Sequence, residues 1–198
     1  MFKRSKKFSN INIDTDKGQL FLEDVKGDLR LLMLRPIDLI EFIEFAGTNA
    51  EETIIWVGKT IGKYICNNIY PDEDWSGESL SKKKEIINSI MDELVQLGYG
   101  KISTVFKKDR IIIMIKNPLP LEERENIMAK NLCILSNGIF EGILENLEID
   151  TTGEEIQCVL LGDEACVYEY ELLLEEFDEE DVDSEKDESE ISEFLTAL

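Results

Sequence analysis

The sequence of 198 residues contains no histidine. Histidine is the commonest general base in enzymes and the commonest metal ligand in proteins. Its absence excludes every catalytic triad that contains histidine and every zinc site built on imidazole. A metal ion in this chain would have to be held by cysteine thiolates and by aspartate or glutamate carboxylates.

Basic side chains are scarce, since 21 Lys and Arg stand against 43 Asp and Glu and the formal net charge is −22. Phosphate backbones repel such a chain, so we do not expect nucleic-acid binding. The segment 175–198 alone holds 12 acidic residues and one lysine, which predicts a disordered acidic tail. Its apolar end, ISEFLTAL, is a candidate docking peptide for a protein partner.

Cysteines number only four, and the chain has no run of 18 uncharged apolar residues. Four cysteines are too few for a disulfide-stapled secreted scaffold, so we expect thiols or metal thiolates in a reducing compartment. The missing apolar run predicts that no segment spans a bilayer. The basic start, MFKRSKKFSN, leads into polar residues rather than into a secretory signal. We therefore expect a cytoplasmic protein.

The apolar pattern predicts helices between blocks of paired strands. Alternation over 8–35 predicts two or three short antiparallel strands, and helical spacing predicts helices over 36–47, 50–68, 81–97 and 133–147. Two hairpins are predicted, one about Lys107–Asp109 and one turning at Gly162-Asp163. This order predicts one α+β domain in which an antiparallel sheet packs against helices.

The last hairpin carries Glu155, Cys158 and Cys166, and Cys133 begins the helix before it. Three thiolates and one carboxylate would suit a closed tetrahedral zinc site. Glu155 and Cys158 are three residues apart, so a shared metal requires Glu155 in a loop or at a bulge. Spacing alone leaves two readings open, a metal site or thiols that pack as small buried hydrophobes.

The order of the motifs resembles the 4-vinyl reductase (4VR) domain family. The resemblance covers Arg35 to Glu171 and is carried by the segment WVGKTIGKYI, the hairpin GKISTVF…RIIIMIKNP, the spacing Cys133-x4-Gly138 and the hairpin Glu155-x2-Cys158-x7-Cys166. This family includes archaeal hydrocarbon-binding proteins and the sensors of aromatic-responsive bacterial activators, and it shares its fold with subunits of the TRAPP tethering complex. The resemblance implies a ligand-binding domain over 35–174, which we expect to follow N-terminal strands over 1–34 and to precede the acidic tail over 175–198.

The resemblance implies a structural zinc ion and a pocket for a small hydrophobic molecule. The zinc ligands would be Cys133, Glu155, Cys158 and Cys166. Candidate pocket residues lie on the second and fourth helices, at Trp56, Tyr64, Phe140 and Ile143. Phenol sensing in the family uses a pocket histidine, which this chain lacks, so a phenol-type ligand held in that way is not expected.

The family's habit of pairing, together with a bare stripe at Gly58 and Gly62, predicts a homodimer. We expect a ligand-binding sensor or carrier and not an enzyme, because the sequence has no Gly-rich dinucleotide loop, no P-loop and no histidine. The alternative is a homodimeric protein-interaction module that uses the TRAPP-like fold and the acidic tail. A tightly packed interior would favour that alternative.

Overall fold

The computed structural model describes residues 11–22, 29–46, 50–70, 73–174 and 176–183. Its α-helices are α1 (Pro36–Ala46), α2 (Ala50–Ile69), α3 (Leu80–Gln96) and α4 (Lys130–Asn146). Its strands are β1 (Ile11–Asp14), β2 (Gln19–Leu22), β3 (Leu29–Leu31), β4 (Lys101–Lys107), β5 (Arg110–Lys116), β6 (Thr151–Gln157) and β7 (Cys166–Leu172).

The strands form two antiparallel sheets. The first has the order β1-β2-β3, and the second has the order β4-β5-β7-β6. The predicted hairpin about Lys107–Asp109 is confirmed, because Lys107 pairs with Arg110 across the turn. Helices packed against an antiparallel sheet confirm the predicted α+β class.

The start of α3 lies earlier than predicted. The expected first residue was Ser81, but Ser79 is the N-cap, and its side-chain oxygen accepts a hydrogen bond of 3.3 Å from the Lys82 amide. Two serines flank Leu80, and either could cap a helix. Burial of Leu80 decides in favour of Ser79, since a start at Ser81 would leave Leu80 outside the helix.

Glycines allow α2 and α4 to touch along their backbones. A Cβ atom on Gly58 would lie 2.6 Å from the Leu135 carbonyl oxygen, and one on Gly138 would lie 2.7 Å from the Ile55 carbonyl oxygen. Gly62 and Gly142 meet the facing backbone in the same way. The stripe that supported a homodimer is therefore occupied within the chain, and the homodimer stays a prediction without that support.

Within the part of the chain that the structure describes, one segment, Ile127–Asn146, is long and apolar enough to cross a membrane by length and composition. In the fold, 61% of its most apolar window is buried. Its partners are the helix α2 and the inner face of the four-stranded sheet, where Phe140 stacks edge-to-face on Tyr168. Such burial is the pattern of a core helix, which passes the same test as a membrane span.

The start of the acidic segment packs on the sheet. Phe177 is 1% exposed and meets Phe106 edge-to-face at 5.3 Å between ring centroids. Asp183 closes this contact, because its carboxylate accepts a 2.7 Å hydrogen bond from the Phe106 amide and lies 2.6 Å from Lys84 Nζ. The ordered chain therefore extends past the predicted boundary at residue 175, and the rest of the predicted tail, 184–198, lies outside the described residues.

We predict that Phe177→Ala lowers the free energy of unfolding by about 3 kcal/mol, because it leaves a cavity beside Phe106. Ending the chain after Asp183 should leave the unfolding midpoint unchanged. Urea unfolding of both variants tests this, with Leu174→Ala as a control because Leu174 is 79% exposed. Equal midpoints for wild type and Phe177→Ala would contradict the assignment of Phe177 to the core.

Candidate metal centre and the adjoining cleft

A β-bulge turns Glu155 toward the predicted cysteines. Glu155 pairs with Tyr168 and Gln157 pairs with Val167, so Ile156 has no partner on β7 and is an extra residue in β6. An extra residue interrupts the strict alternation of strand side chains. Glu155 and Cys158 are three residues apart and can share a metal ion only if the strand is irregular between them. This bulge supplies that irregularity.

The connection between β6 and β7 is longer than the predicted two-residue turn. Cys158 follows β6, a 3-10 turn spans Val159–Leu161, and Gly162 takes the left-handed conformation with φ of 102°. The Asp163 carboxylate accepts a 2.8 Å hydrogen bond from the Cys158 amide and holds the loop closed. The two cysteines are therefore not opposite each other in paired strands, and the folded loop brings them together instead.

The first turn of α4 brings in the fourth residue. Cys133 Sγ lies 3.6 Å from Cys158 Sγ, and the Cys133 carbonyl accepts a 3.2 Å hydrogen bond from the Tyr168 hydroxyl. The ligand atoms of the whole set all lie within 4.8 Å of one another, and the set is Cys133, Glu155, Cys158 and Cys166. The structure thus brings together all four residues predicted to hold a metal ion.

The electrostatics of the cluster are compatible with a bound cation. The Cys133 thiol donates to Cys166, and this raises the pKa of Cys133 far above its usual range and lowers the pKa of Cys166. Burial raises the pKa of the Cys158 thiol to about 11. Three buried thiols ionise together only when a cation compensates their charge. Oε1 of Glu155 is buried and makes no hydrogen bond, so it is an acceptor without a donor.

A half-open cleft of about 320 Å³ adjoins the cluster. It lies between the first turns of α2, the first half of α4 and the edge strand β6. Three of the four cluster residues form one wall of the cleft. The lining consists of Glu51, Ile55, Lys130, Cys133, Ile134, Asn137, Glu155, Ile156, Gln157, Cys158, Leu161 and Tyr168.

The predicted pocket residues lie elsewhere. Trp56 and Tyr64 are 67% and 46% exposed, whereas Phe140 and Ile143 are buried in the core at 2% and 0%. None of the four lines the cleft, although the two helices that carry them do bound it. The space beside the glycines of α2 and α4 is filled by facing backbone, so the cleft opens nearer the N-terminal ends of the two helices.

The residues that do line the cleft were missed by sequence reasoning. Ile55 and Ile134 are direct neighbours in sequence of Trp56 and Cys133, which were singled out. The apolar periodicity of both helices includes them, but periodicity does not tell a residue beside a cleft from a residue inside the core. Proximity to the predicted metal ligand Cys133 is the one signal that could have selected Ile134.

Comparison with known proteins shows a likeness of fold. No protein-family model matches the chain, and no curated protein matches it in sequence. The phenol-responsive sensory domain of the transcription activator PoxR, solved with phenol, is similar with a TM-score of 0.54 and 12% identity over 92% of this chain and 90% of that chain. At this identity the likeness shows the fold alone.

Two further solved structures are similar at lower TM-scores. A structure of the H-NOX family has a TM-score of 0.48 and 14% identity, and covers 76% of this chain and 79% of that chain. A trafficking protein particle complex subunit 3 from Naegleria fowleri, covalently bound to palmitic acid, has a TM-score of 0.42 and 14% identity over 74% of this chain and 87% of that chain.

We predict that the protein binds one metal ion per chain and that Cys158→Ser loses both the ion and much of the thermal stability. The reason is that the binding energy of a structural site is folding energy. Elemental analysis and melting of protein prepared without chelator test this, with Cys66→Ala as control because Cys66 is a buried thiol outside the cluster. Metal-free wild-type protein, melting no higher than Cys158→Ser, would refute the metal centre.

Proposed function

We propose that the protein is a sensor or carrier domain that binds a small apolar molecule in the cleft beside the metal centre. One observation carries the proposal: a cleft of about 320 Å³ has three residues of the metal cluster in its wall. Ligand sites typically have about 300–1,000 Å³, mostly apolar walls and a few fixed polar groups. This volume suits a single-ring or short-chain molecule.

The walls support an apolar ligand with few polar groups. Ile55, Ile134, Ile156 and Leu161 supply aliphatic surface from four different parts of the lining. Asn137 offers little hydrogen-bonding capacity to a ligand, since its Oδ1 accepts from Tyr170 and its Nδ2 donates to Glu141. Glu51, Lys130 and Gln157 also line the cleft, so binding would combine burial of apolar area with a few polar contacts.

Zinc is the metal that we propose for the cluster. Thiolate ligands favour zinc over magnesium and calcium, which prefer oxygen, and three thiolates with one carboxylate complete a tetrahedral site. The buried Oε1 of Glu155, which makes no hydrogen bond, supports a cation as its partner. A zinc ion there would neutralise the thiolates and join α4 to the β6–β7 connection, which stiffens one wall of the cleft.

A ligand in the cleft would contact elements that can shift relative to one another. Cys133 and Ile134 belong to α4, Ile55 belongs to α2, and Ile156 is the bulged residue of β6. A molecule that fits one arrangement of these elements better than another shifts the population toward it. A sensory role is supported by the likeness of fold to the PoxR sensory domain, whose ligand is phenol. The 4VR resemblance supports the same role.

We further propose that no bond is made or broken in the cleft and that the protein acts in the cytoplasm. The lack of histidine supports the first statement, because the commonest general base is absent from the sequence. The second is supported by the four cysteines, none of which forms a disulfide, because disulfides are rare in a reducing compartment. An interaction module is the second candidate, and the exposed apolar side chains of Leu32 and Met33 ahead of α1 favour it.

We predict that a panel of uncharged single-ring and short-chain compounds contains a binder and that Ile134→Phe weakens its binding at least about tenfold. The larger side chain would fill the cleft, and a tenfold loss corresponds to about 1.4 kcal/mol. Isothermal titration calorimetry on zinc-loaded protein measures both, and zinc content should be unchanged in the variant.

Val57→Phe is the matched control, because Val57 lies on α2 outside the lining. It should bind as tightly as wild type. If no compound binds the zinc-loaded protein, or if Ile134→Phe binds as well as wild type, the cleft is not the ligand site.

A further inference from the structure

The helix α1 presents apolar side chains on both of its faces. Ile40 and Ile43 are 1% and 8% exposed and pack inward, whereas Phe42 and Phe45 are 72% and 92% exposed. A surface helix ordinarily turns polar residues to solvent. Exposed aromatic side chains grouped on one helix mark an interaction site.

Acidic residues surround these two phenylalanines. Successive residues of an α-helix are about 100° apart around its axis, which places Glu41 on the same face as Phe42 and Phe45. Glu44 lies next to Glu41 around the helix. Both carboxylates are exposed, and neither makes an ion pair with another described residue. We call these four residues, Glu41, Phe42, Glu44 and Phe45, the α1 patch. Its chemistry suits a partner that is basic and aromatic.

The sequence contains one segment with that chemistry. Residues 2–8 read FKRSKKF, with four basic side chains, no acidic one and a phenylalanine at each end. The lysine run of α3 is already engaged, because Lys82 pairs with Glu78, Lys83 donates to the Glu148 carbonyl and Lys84 pairs with Asp183. We propose that residues 2–8 dock on the α1 patch of the same molecule.

The segment precedes the same small sheet whose last strand leads into α1. β1 begins at Ile11, two strands away from β3, and β3 leads through 32–35 into α1. Neighbouring strands are about 4.8 Å apart, so Ile11 lies about 10 Å across the sheet from β3. Nine extended residues span about 30 Å. This is about three times the distance across the sheet.

Docking would combine two kinds of contact, each modest. Lys and Arg side chains would pair with Glu41 and Glu44 and would lie over the rings of Phe42 and Phe45. The α1 helix packs inward through Ile40 on Ala129 and Leu132, next to the first turn of α4. A docked segment would therefore brace α1 against the helix that carries Cys133.

Initial rates of tryptic cleavage after Arg4, Lys6 and Lys7 in the full chain test the proposal. Docking protects these bonds, so Phe42→Ser/Phe45→Ser and Glu41→Lys/Glu44→Lys should each raise the rate about fivefold. The control Glu85→Lys/Asp92→Lys makes the same charge change on exposed positions of α3 and should leave the rate unchanged. Equal rates in all variants would overturn the proposal.

A second test uses wild-type protein alone and therefore does not depend on whether a variant folds. Unlabelled protein and protein labelled with heavy isotopes are mixed and cross-linked with a carbodiimide, so that links within one copy can be told from links between copies. Links from Lys3, Lys6 or Lys7 to Glu41 or Glu44 within one copy support the proposal. Links only to acidic residues of 184–198, or only between light and heavy copies, would overturn it. A dimer would also overturn the proposal. In that case light scattering would give twice the mass of one chain, Phe42→Ser/Phe45→Ser would restore the single mass, and the rate of tryptic cleavage would not change, because a second copy would cover the α1 patch.

Discussion

The bulge at Ile156 decides on which side of β6 the side chain of Glu155 lies. In a regular strand Glu155 and Cys158 would point to opposite faces, and the carboxylate could not join the three thiols. One extra residue removes this conflict, and the ligand atoms of all four side chains then lie within 4.8 Å of one another. The same residue lines the cleft, so the bulge shapes both the candidate metal centre and the space beside it. Because β6 is an edge strand, a bulge in it costs little free energy, since only the one neighbouring strand, β7, must adapt.

The glycine contact between α2 and α4 determines where the cleft lies. The backbones touch at Gly58 and Gly138, so no room is left for a ligand along the middle of the two helices. Toward their N-terminal ends the helices give way to a gap, which β6 and the loop after Cys158 close on the third side. Close helix packing and an open cleft are therefore two consequences of the same interface.

The fold class, the four helices, the β4–β5 hairpin and the four cluster residues could be predicted, because they leave local signals of periodicity, turn residues and motif order. Grouping these four residues as ligands of one metal ion required the family resemblance. The three-residue spacing of Glu155 and Cys158 by itself argues against a shared site unless a bulge in the strand is known. The position of the cleft and the anchoring of Phe177 could not be predicted. Both depend on contacts between residues distant in sequence: the backbone contact of α2 with α4, and the packing of Phe177 on Phe106.

The central claim is that four side chains, gathered by the bulge and by the first turn of α4, form one zinc site that braces the cleft. X-ray absorption at the zinc edge of the purified protein tests it most directly. The account predicts three sulfur ligands at about 2.3 Å and one oxygen at about 2.0–2.2 Å. A first shell of four sulfurs, a shell of oxygen ligands alone, or protein that binds no zinc would contradict it.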